Sequence, residues 1–349
     1  MQEIPSSSDV AIVGAGFAGI ATAWALGRRG VRAVVLEREA APGRFASGRS
    51  AGLGRQLAED DATSALTVRG AALLRGELAA VWQPCGGILS FDDAGLADEY
   101  SARAARLGVA ALRLDRAAVR GRWPGLGGLA IAAALYVPSD GVIDVAGLLA
   151  ALARGAHVEC GAGVERVEPA GGPGEPHRRV RLTTPRGSLE ARVVVDAAGA
   201  WAGGLTGDPP LASFKRHVYV VEAAAPATAG VPYLWHLGAE EHYLRGDAAG
   251  VLVSPCDASA TEPADQQPEA AGELLLRARL AGSAWHDARI ARRWACQRAF
   301  APDRRMRLGR DPARPWLVWA AGLGGHGATA AAAVGEVVAE ACAAALAAT

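Results

Sequence analysis

Residues 10–37 read VAIVGAGFAGIATAWALGRRGVRAVVLE, and this stretch decides the fold. A short apolar run at 10–13 enters the turn Gly14-Ala15-Gly16-Phe17-Ala18-Gly19. An alanine-rich helical segment follows over 20–29, with Gly30 placed to end it. A second β-branched run, 31–36, closes on Glu37. Three glycines at GxGxxG spacing are weak evidence alone. Between a strand and a helix, with an acidic residue ending the next strand, they define a dinucleotide-binding unit. Gly14 permits the tight turn, Gly16 lets the backbone approach a pyrophosphate, and Gly19 lets helix and strand pack closely. The helix N-terminus offers N–H groups and partial positive charge to the phosphates, and Glu37 suits a ribose diol.

That unit fits NAD or FAD equally. The next segment, RFASGRSAGLG at 44–54, separates them. It is a small-residue loop with two arginines, Arg44 and Arg49, too long and too glycine-rich for an ordinary linker. It suits an extended cofactor reaching past the second strand, which points to FAD. Beyond it, helices are expected at 66–81, 101–107 and 144–154, the last with Asp144 as N-cap. Strands are expected at 86–91, 192–196, 218–223 and 250–254. The chain closes with a strand at 316–320, a glycine-rich turn and a helix reaching about 347. The loops 171–176 and 261–268 are rich in Pro, Gly and polar residues and look dispensable.

Helix–strand alternation at both ends, with strand-rich matter between, gives an α/β fold class. A discontinuous Rossmann-like FAD-binding domain is expected from 1–80, 140–205 and 290–349. An inserted α+β substrate domain, built on an antiparallel sheet, is expected from 81–139 and 206–289.

Composition excludes other classes. With 51% hydrophobic and 21% charged residues, the 349-residue chain is globular rather than disordered. Lys+Arg and Asp+Glu balance at 36 each, so no charge excess points to nucleic acid. Five cysteines, Cys85, Cys160, Cys256, Cys296 and Cys342, form no CxxC pair, so neither a disulfide framework nor a metal site is expected, and a reducing cytoplasm fits. Residues 1–9 show no signal-peptide pattern. The longest stretch without Asp, Glu, Lys or Arg, 315–335, contains five glycines and reads as strand, loop and helix, so no transmembrane segment is expected.

Five motifs in order carry a family resemblance: VVLEREAAPGRFASGRSAG (34–52), YVPSDGVID (136–144), VVVDAAGAWAGGL (193–205), RRWACQRAFAPD (292–303) and WAAGLGGHGATAAAAVGE (319–336). Spread over nearly the whole chain, they resemble the FAD-dependent D-amino-acid oxidase superfamily, in particular its D-arginine dehydrogenase-like and sarcosine oxidase-like members. The resemblance implies FAD and oxidation of an amine to an imine, which hydrolyses to a keto acid and ammonia. It implies cofactor contacts from Gly14, Gly16, Gly19, Glu37, Arg38, Arg44, Gly48, Arg49, Ser50, Ala51 and Val164. It extends them to Ala198, Gly199, Trp201 and Cys296, and to Gly322, Gly324, Gly325, His326 and Gly327. A helix N-terminus at Gly327, aimed at a flavin, stabilises negative charge developing on the reduced ring.

Hydride transfer to a flavin needs orientation more than a side-chain base, and arginine is the natural carboxylate clamp. The resemblance assigns that clamp to Arg298, with Arg216 as a second arginine and Tyr243 as a hydroxyl that helps hold the carboxylate. His236 and His242 flank Tyr243. Departures from the family pattern narrow the substrate. Leu53 and Ala58 stand where the D-arginine enzymes have histidine and tyrosine, so a neutral D-amino acid is expected. Sarcosine-type oxidases carry an oxygen-activating lysine on the strand corresponding to 250–254; none is here, which tilts towards a dehydrogenase with oxygen, a quinone or another molecule as acceptor. Cys296 keeps the spacing to Pro302-Asp303 of the cysteine that bonds flavin in sarcosine-type oxidases, so covalent FAD attachment is an open alternative, with Arg292, Arg293 and Arg298 near enough in sequence to favour a thiolate. A sarcosine- or glycine-type oxidase releasing peroxide, and a non-catalytic FAD-binding protein, are the competing readings.

Overall fold

The structure is a computed structural model, described here for residues 3–170, 179–208, 211–223 and 230–348. The loop expected at 171–176 lies outside the described residues. Ser7–Val13, the apolar run of the opening motif, becomes a central strand with parallel neighbours on both sides. Val13 pairs with Leu36 of Ala33–Glu37 and with Asp196 of Gly187–Asp196. His157–Cys160 extends the sheet beyond Ala33–Glu37, and Leu317–Ala321 joins beside the last residues of Gly187–Asp196, both in parallel. Arg166–Ala170, Arg179–Thr184 and Arg307–Arg310 complete an eight-stranded sheet through antiparallel pairs. Strands of one direction bring their carboxyl ends to one edge, where open α/β sheets bind ligands.

Helix Phe17–Gly27 packs on one face of this sheet together with Asp61–Arg75, Val145–Ala153 and the C-terminal Gly327–Ala348. Alanine and glycine let these helices approach unusually closely. A Cβ on Gly335 would fall 2.2 Å from Ala21 O, and one on Gly70 would fall 2.0 Å from Thr329 O. Gly327–Ala348 is long and apolar enough to cross a membrane, by length and composition only, yet its face is buried against these helices and Glu336 pairs with Arg69 at 2.8 Å.

A nine-stranded, mostly antiparallel sheet forms the second layer. Its spine is Ala212–Glu222, which pairs with Gly250–Ser254 on one side and Ile290–Phe300 on the other. His242–Asp247, Tyr233–Leu237, Gly87–Phe91, Ala133–Val137 and Leu112–Leu114 continue it. Residues 290–300, expected in the FAD-binding domain, ladder along almost all of 212–222 and so join this second sheet. A small third sheet joins Leu53–Gly54, Gly141–Ile143 and Trp82–Gln83.

The helix expected at 66–81 spans Asp61–Arg75 instead. Asp60 caps it by accepting from Thr63 N at 2.9 Å, a polar signal that the apolar period does not carry. The helix expected at 101–107 begins earlier, at Ala94, after the cap Asp93. Asp144 caps Val145–Ala153 as expected, accepting from Gly147 N at 3.0 Å.

Gly335→Val tests the close helix packing. The new side chain meets the Ala21 backbone, which cannot rotate away, so the helices must separate at a cost of about 1–3 kcal/mol. The melting temperature should fall measurably; an unchanged melting curve would show that the contact is slack.

Candidate active site

At the carboxyl edge of the parallel strands lies a cavity of about 870 Å³. The expected cofactor and substrate residues line it, apart from Gly19 and Gly48. Those two serve the backbone around it. A Cβ on Gly19 would fall 1.9 Å from Gly14 O, which is the helix–strand packing role read from the motif. A Cβ on Gly48 would fall 2.4 Å from Gly43 O, so Gly48 closes the loop on itself rather than facing a ligand.

The cradle begins at Gly14, whose φ is +99° and whose Cβ would sit 2.7 Å from Ala197 O. Gly16 follows, with Ser47 Oγ 3.1 Å from where its Cβ would be. Glu37 accepts from Ala15 N at 2.7 Å and from Glu39 N at 2.8 Å, which fixes its carboxylate at the cavity wall. Asp196 accepts from Ala198 N and Gly203 N, holding the second small-residue turn open. Arg38 stacks over Trp201 at 4.5 Å, and Trp201 packs on Phe45 at 4.9 Å. Bare backbone at two turns, a wall carboxylate and a cavity of about 870 Å³ fit a dinucleotide as large as FAD.

The loop 44–54 is held from outside. Asp265 pairs with Arg44 at 3.0 Å and with Arg49, while Arg49 Nη1 donates to Gln266 O at 2.9 Å and Ala295 O at 3.0 Å. The two arginines therefore spend their guanidinium groups on protein partners. The segment 261–268, read as dispensable, is the latch that closes over them. Ser47, absent from the expected set, accepts from Phe17 N at 2.9 Å at the start of the first helix.

Gly322, Gly324 and Gly325, with φ of +71°, +58° and +101°, lead into the C-terminal helix at the other end. A Cβ on Gly325 would crowd Arg298 Cδ at 3.1 Å. His326 Nε2 lies 2.9 Å from Glu59 Oε2, and Arg55 Nη2 donates to Glu59 Oε1 at 2.5 Å. Burial alone would raise the Glu59 pKa, but Arg55 and His326 outweigh it and hold the carboxyl well below the usual range. Arg55 also stacks over Trp235 at 4.0 Å. These residues were missed because no helical or strand period marks 55–59.

Arg298 and Arg216 project from adjacent strands into this end. Arg216 is buried and well bonded: Nε donates to Asp257 O at 3.1 Å, Nη2 to Cys256 O at 3.2 Å and Nη1 to Cys256 Sγ at 2.7 Å. Cys256 adopts φ +54°, a left-handed conformation uncommon for a side chain other than glycine. Arg298 is poorly served. Its hydrogen bond is a long 3.5 Å contact to Asp257 O, its buried Nε has no partner, and no carboxylate pairs with it among the described residues. Burial and the neighbouring Arg216 lower its pKa to about 10. An anion is what this guanidinium lacks.

Tyr243 lies beside the arginines, buried and packed on Trp235 at 4.8 Å. Its flanking histidines do not line the cavity. His236 bonds Ser90 Oγ at 3.0 Å, and burial lowers its pKa to about 4, so it is a neutral packing residue. His242 is likewise buried, against Glu240 O at 2.7 Å. Leu53 reaches the cavity wall, but Ala58 is fully buried elsewhere, its carbonyl accepting from Arg103 at 2.8 Å. Burial raises the Cys296 thiol pKa despite Arg298 and Arg216. Arg292 and Arg293 do not help it, being exposed and paired with Asp247 at 2.6 Å and Glu273 at 3.0 Å.

Fold and cavity define a flavin-type dinucleotide site that opens onto a wall carrying Arg216 and Arg298. The chain belongs to the family described as FAD dependent oxidoreductase, which it matches over residues 9–341. It is similar to mitochondrial sarcosine dehydrogenase of Mus musculus, 29% identical over 272 residues, covering 72% of this chain and 29% of that protein. Mitochondrial dimethylglycine dehydrogenase of Mus musculus is 29% identical over 283 residues, covering 73% and 32%. The chain thus spans about a third of the length of these curated relatives. In fold it resembles L-proline dehydrogenase from P. horikoshii, with a TM-score of 0.85, 22% identity and coverage of 97% and 93%. Glycine oxidase from Geobacillus kaustophilus gives a TM-score of 0.82, 24% identity and coverage of 97% and 95%.

The protein should purify yellow. Because burial keeps the Cys296 thiol protonated, acid precipitation should leave the flavin colour in the supernatant. Colour carried down with the protein, with the mass of FAD added to the chain, would establish a covalent bond at Cys296.

Proposed function

We propose that this chain oxidises the Cα–N bond of a small amino acid to an imine, which hydrolyses to a keto acid and ammonia. The observation that carries the reading is Arg298, an arginine without an anionic partner among the described residues, in the cavity that the dinucleotide cradle opens into. An inert FAD-binding protein has no reason to keep a guanidinium in that state, because a buried N–H without an acceptor is costly. The Gly14 turn and the Gly322–Gly327 loop would hold FAD, which would supply the hydride acceptor. Arg298 and Arg216 grip the substrate carboxylate as charge-assisted donors, and Tyr243 adds a hydroxyl. Trp235 and Tyr243 form an aromatic wall that excludes water and fixes the direction of Cα.

The substrate is a neutral D-amino acid on this reading, since Leu53 supplies an apolar patch of wall. A second reading, an N-alkyl amino acid, is favoured by likeness to proteins named for sarcosine and dimethylglycine. No lysine lies on Gly250–Ser254, and Lys215 is paired with Glu269 away from the cavity, so we favour a dehydrogenase with an acceptor other than oxygen. The free cysteines fit a cytoplasmic protein.

Anaerobic mixing with D-, L- and N-methyl amino acids, followed by flavin absorbance, tests the assignment. Neutral D-amino acids should bleach the flavin faster than D-arginine or D-lysine; a flavin that no amino acid reduces would refute catalysis. Arg298→Ala should raise the dissociation constant for the reducing amino acid by roughly 10- to 150-fold, the loss of about 1.5–3 kcal/mol, while FAD stays bound. Unchanged binding would place the carboxylate elsewhere.

A further inference from the structure

Five carboxylates line the cavity: Glu37, Glu59, Asp60, Glu241 and Asp303. Four are committed to the protein or to its rim. Glu37 binds two backbone N–H groups, Glu59 pairs with Arg55 and His326, Asp60 caps a helix, and Asp303 accepts from Arg305 N on an exposed turn. Glu241 differs. It sits in the turn between Tyr233–Leu237 and His242–Asp247, half-buried, two residues before Tyr243. Its Oε1 accepts from Trp235 Nε1 at 2.9 Å, and its Oε2 has no partner among the described residues. No cation among the described residues pairs with it, although its neighbour Glu240 pairs with Arg279 at 3.7 Å. The titratable groups that feel its charge are Arg216 and Arg298 from the two paired strands, Cys256, Tyr100 and His242.

One cavity therefore holds an arginine lacking an anion and a carboxylate lacking a cation. An amino acid arrives with both charges on one Cα. Two arginines that hold its carboxylate repel its ammonium, so the nitrogen needs an anionic partner on another wall. We propose that Glu241 is that partner: Oε2 receives the substrate's α-ammonium by a charge-assisted hydrogen bond and takes one of its protons before oxidation. The N–H bond breaks and the proton passes to Oε2. The freed lone pair on nitrogen then forms the C=N bond as the Cα–H bond breaks, its hydrogen leaving with both electrons to FAD. The carboxylate held by Arg298 keeps its charge throughout. This rests on the amino-acid reading above and names the group that prepares the amine.

The test uses a pair of acids that cannot be oxidised, having no hydrogen on Cα. 2-Aminoisobutyrate carries the ammonium, and pivalate replaces it with a methyl group. Calorimetric titration of the FAD-loaded protein should show 2-aminoisobutyrate binding roughly tenfold or more tighter than pivalate. Glu241→Gln should abolish that difference without weakening pivalate, and Arg298→Ala should weaken both. In anaerobic reduction by an oxidisable amino acid, Glu241→Gln should move the pH midpoint upward, towards that of an amine in water. Equal binding of the two acids to the unaltered protein, or a Glu241→Gln effect confined to basic side chains, overturns the proposal while the carboxylate clamp stands. Failure of both acids to bind overturns the clamp and the proposal together.

Discussion

The missing side chain at Gly14 is the constraint on which the rest of this structure depends. At φ +99° its backbone passes so near Ala197 that a Cβ would lie 2.7 Å from the carbonyl oxygen. That approach locks the turn after Ser7–Val13 to the turn after Gly187–Asp196, two segments far apart in the chain. It sets the carboxyl edge of the sheet, and the first helix, Ser47 and the loop 44–54 are built out from it. A side chain here would force apart the two turns that present bare backbone to a cofactor.

Charge organises the other end of the cavity. Arg216 is satisfied by carbonyls and the Cys256 thiol, so it contributes a positive field without needing a ligand. Arg298, one strand away, is left short of acceptors, and Gly325 gives its side chain room only by having none of its own. The Arg55–Glu59–His326 cluster then ties the substrate wall to the loop opening the C-terminal helix. Displacing that loop disturbs both sides of the site, because each is held by the same few ionic contacts. Asp265 plays a similar part outside, bracing the two arginines of the loop 44–54.

Much of this was legible in the residues because its signals are local. A strand, a glycine turn, a helix and a terminal Glu37 follow in 28 consecutive positions, 10–37, and each glycine has a steric role within that unit. The helix cap at Asp144 and the apolar strands were readable for the same reason. What escaped was non-local. Residues 290–300 join the second sheet because they ladder against 212–222, and nothing in their own pattern names that partner. Segment 261–268 looked like spare loop because an isolated Asp265 is unremarkable until two distant arginines meet it.

By itself the sequence determined a dinucleotide-binding α/β fold, the extended cofactor and the motif arginine Arg298, since glycine geometry and hydrophobic period act over a few residues. Only the tertiary structure decided which polar groups are left without partners. Arg298, the Arg55–Glu59 pair and Glu241 come from three separate stretches, and whether each is paired depends on what the fold sets within a few ångströms of it. The fold turned His236 and His242 away from the cavity and Trp235 and Tyr243 towards it, because a two-residue alternation along a strand puts neighbours on opposite faces.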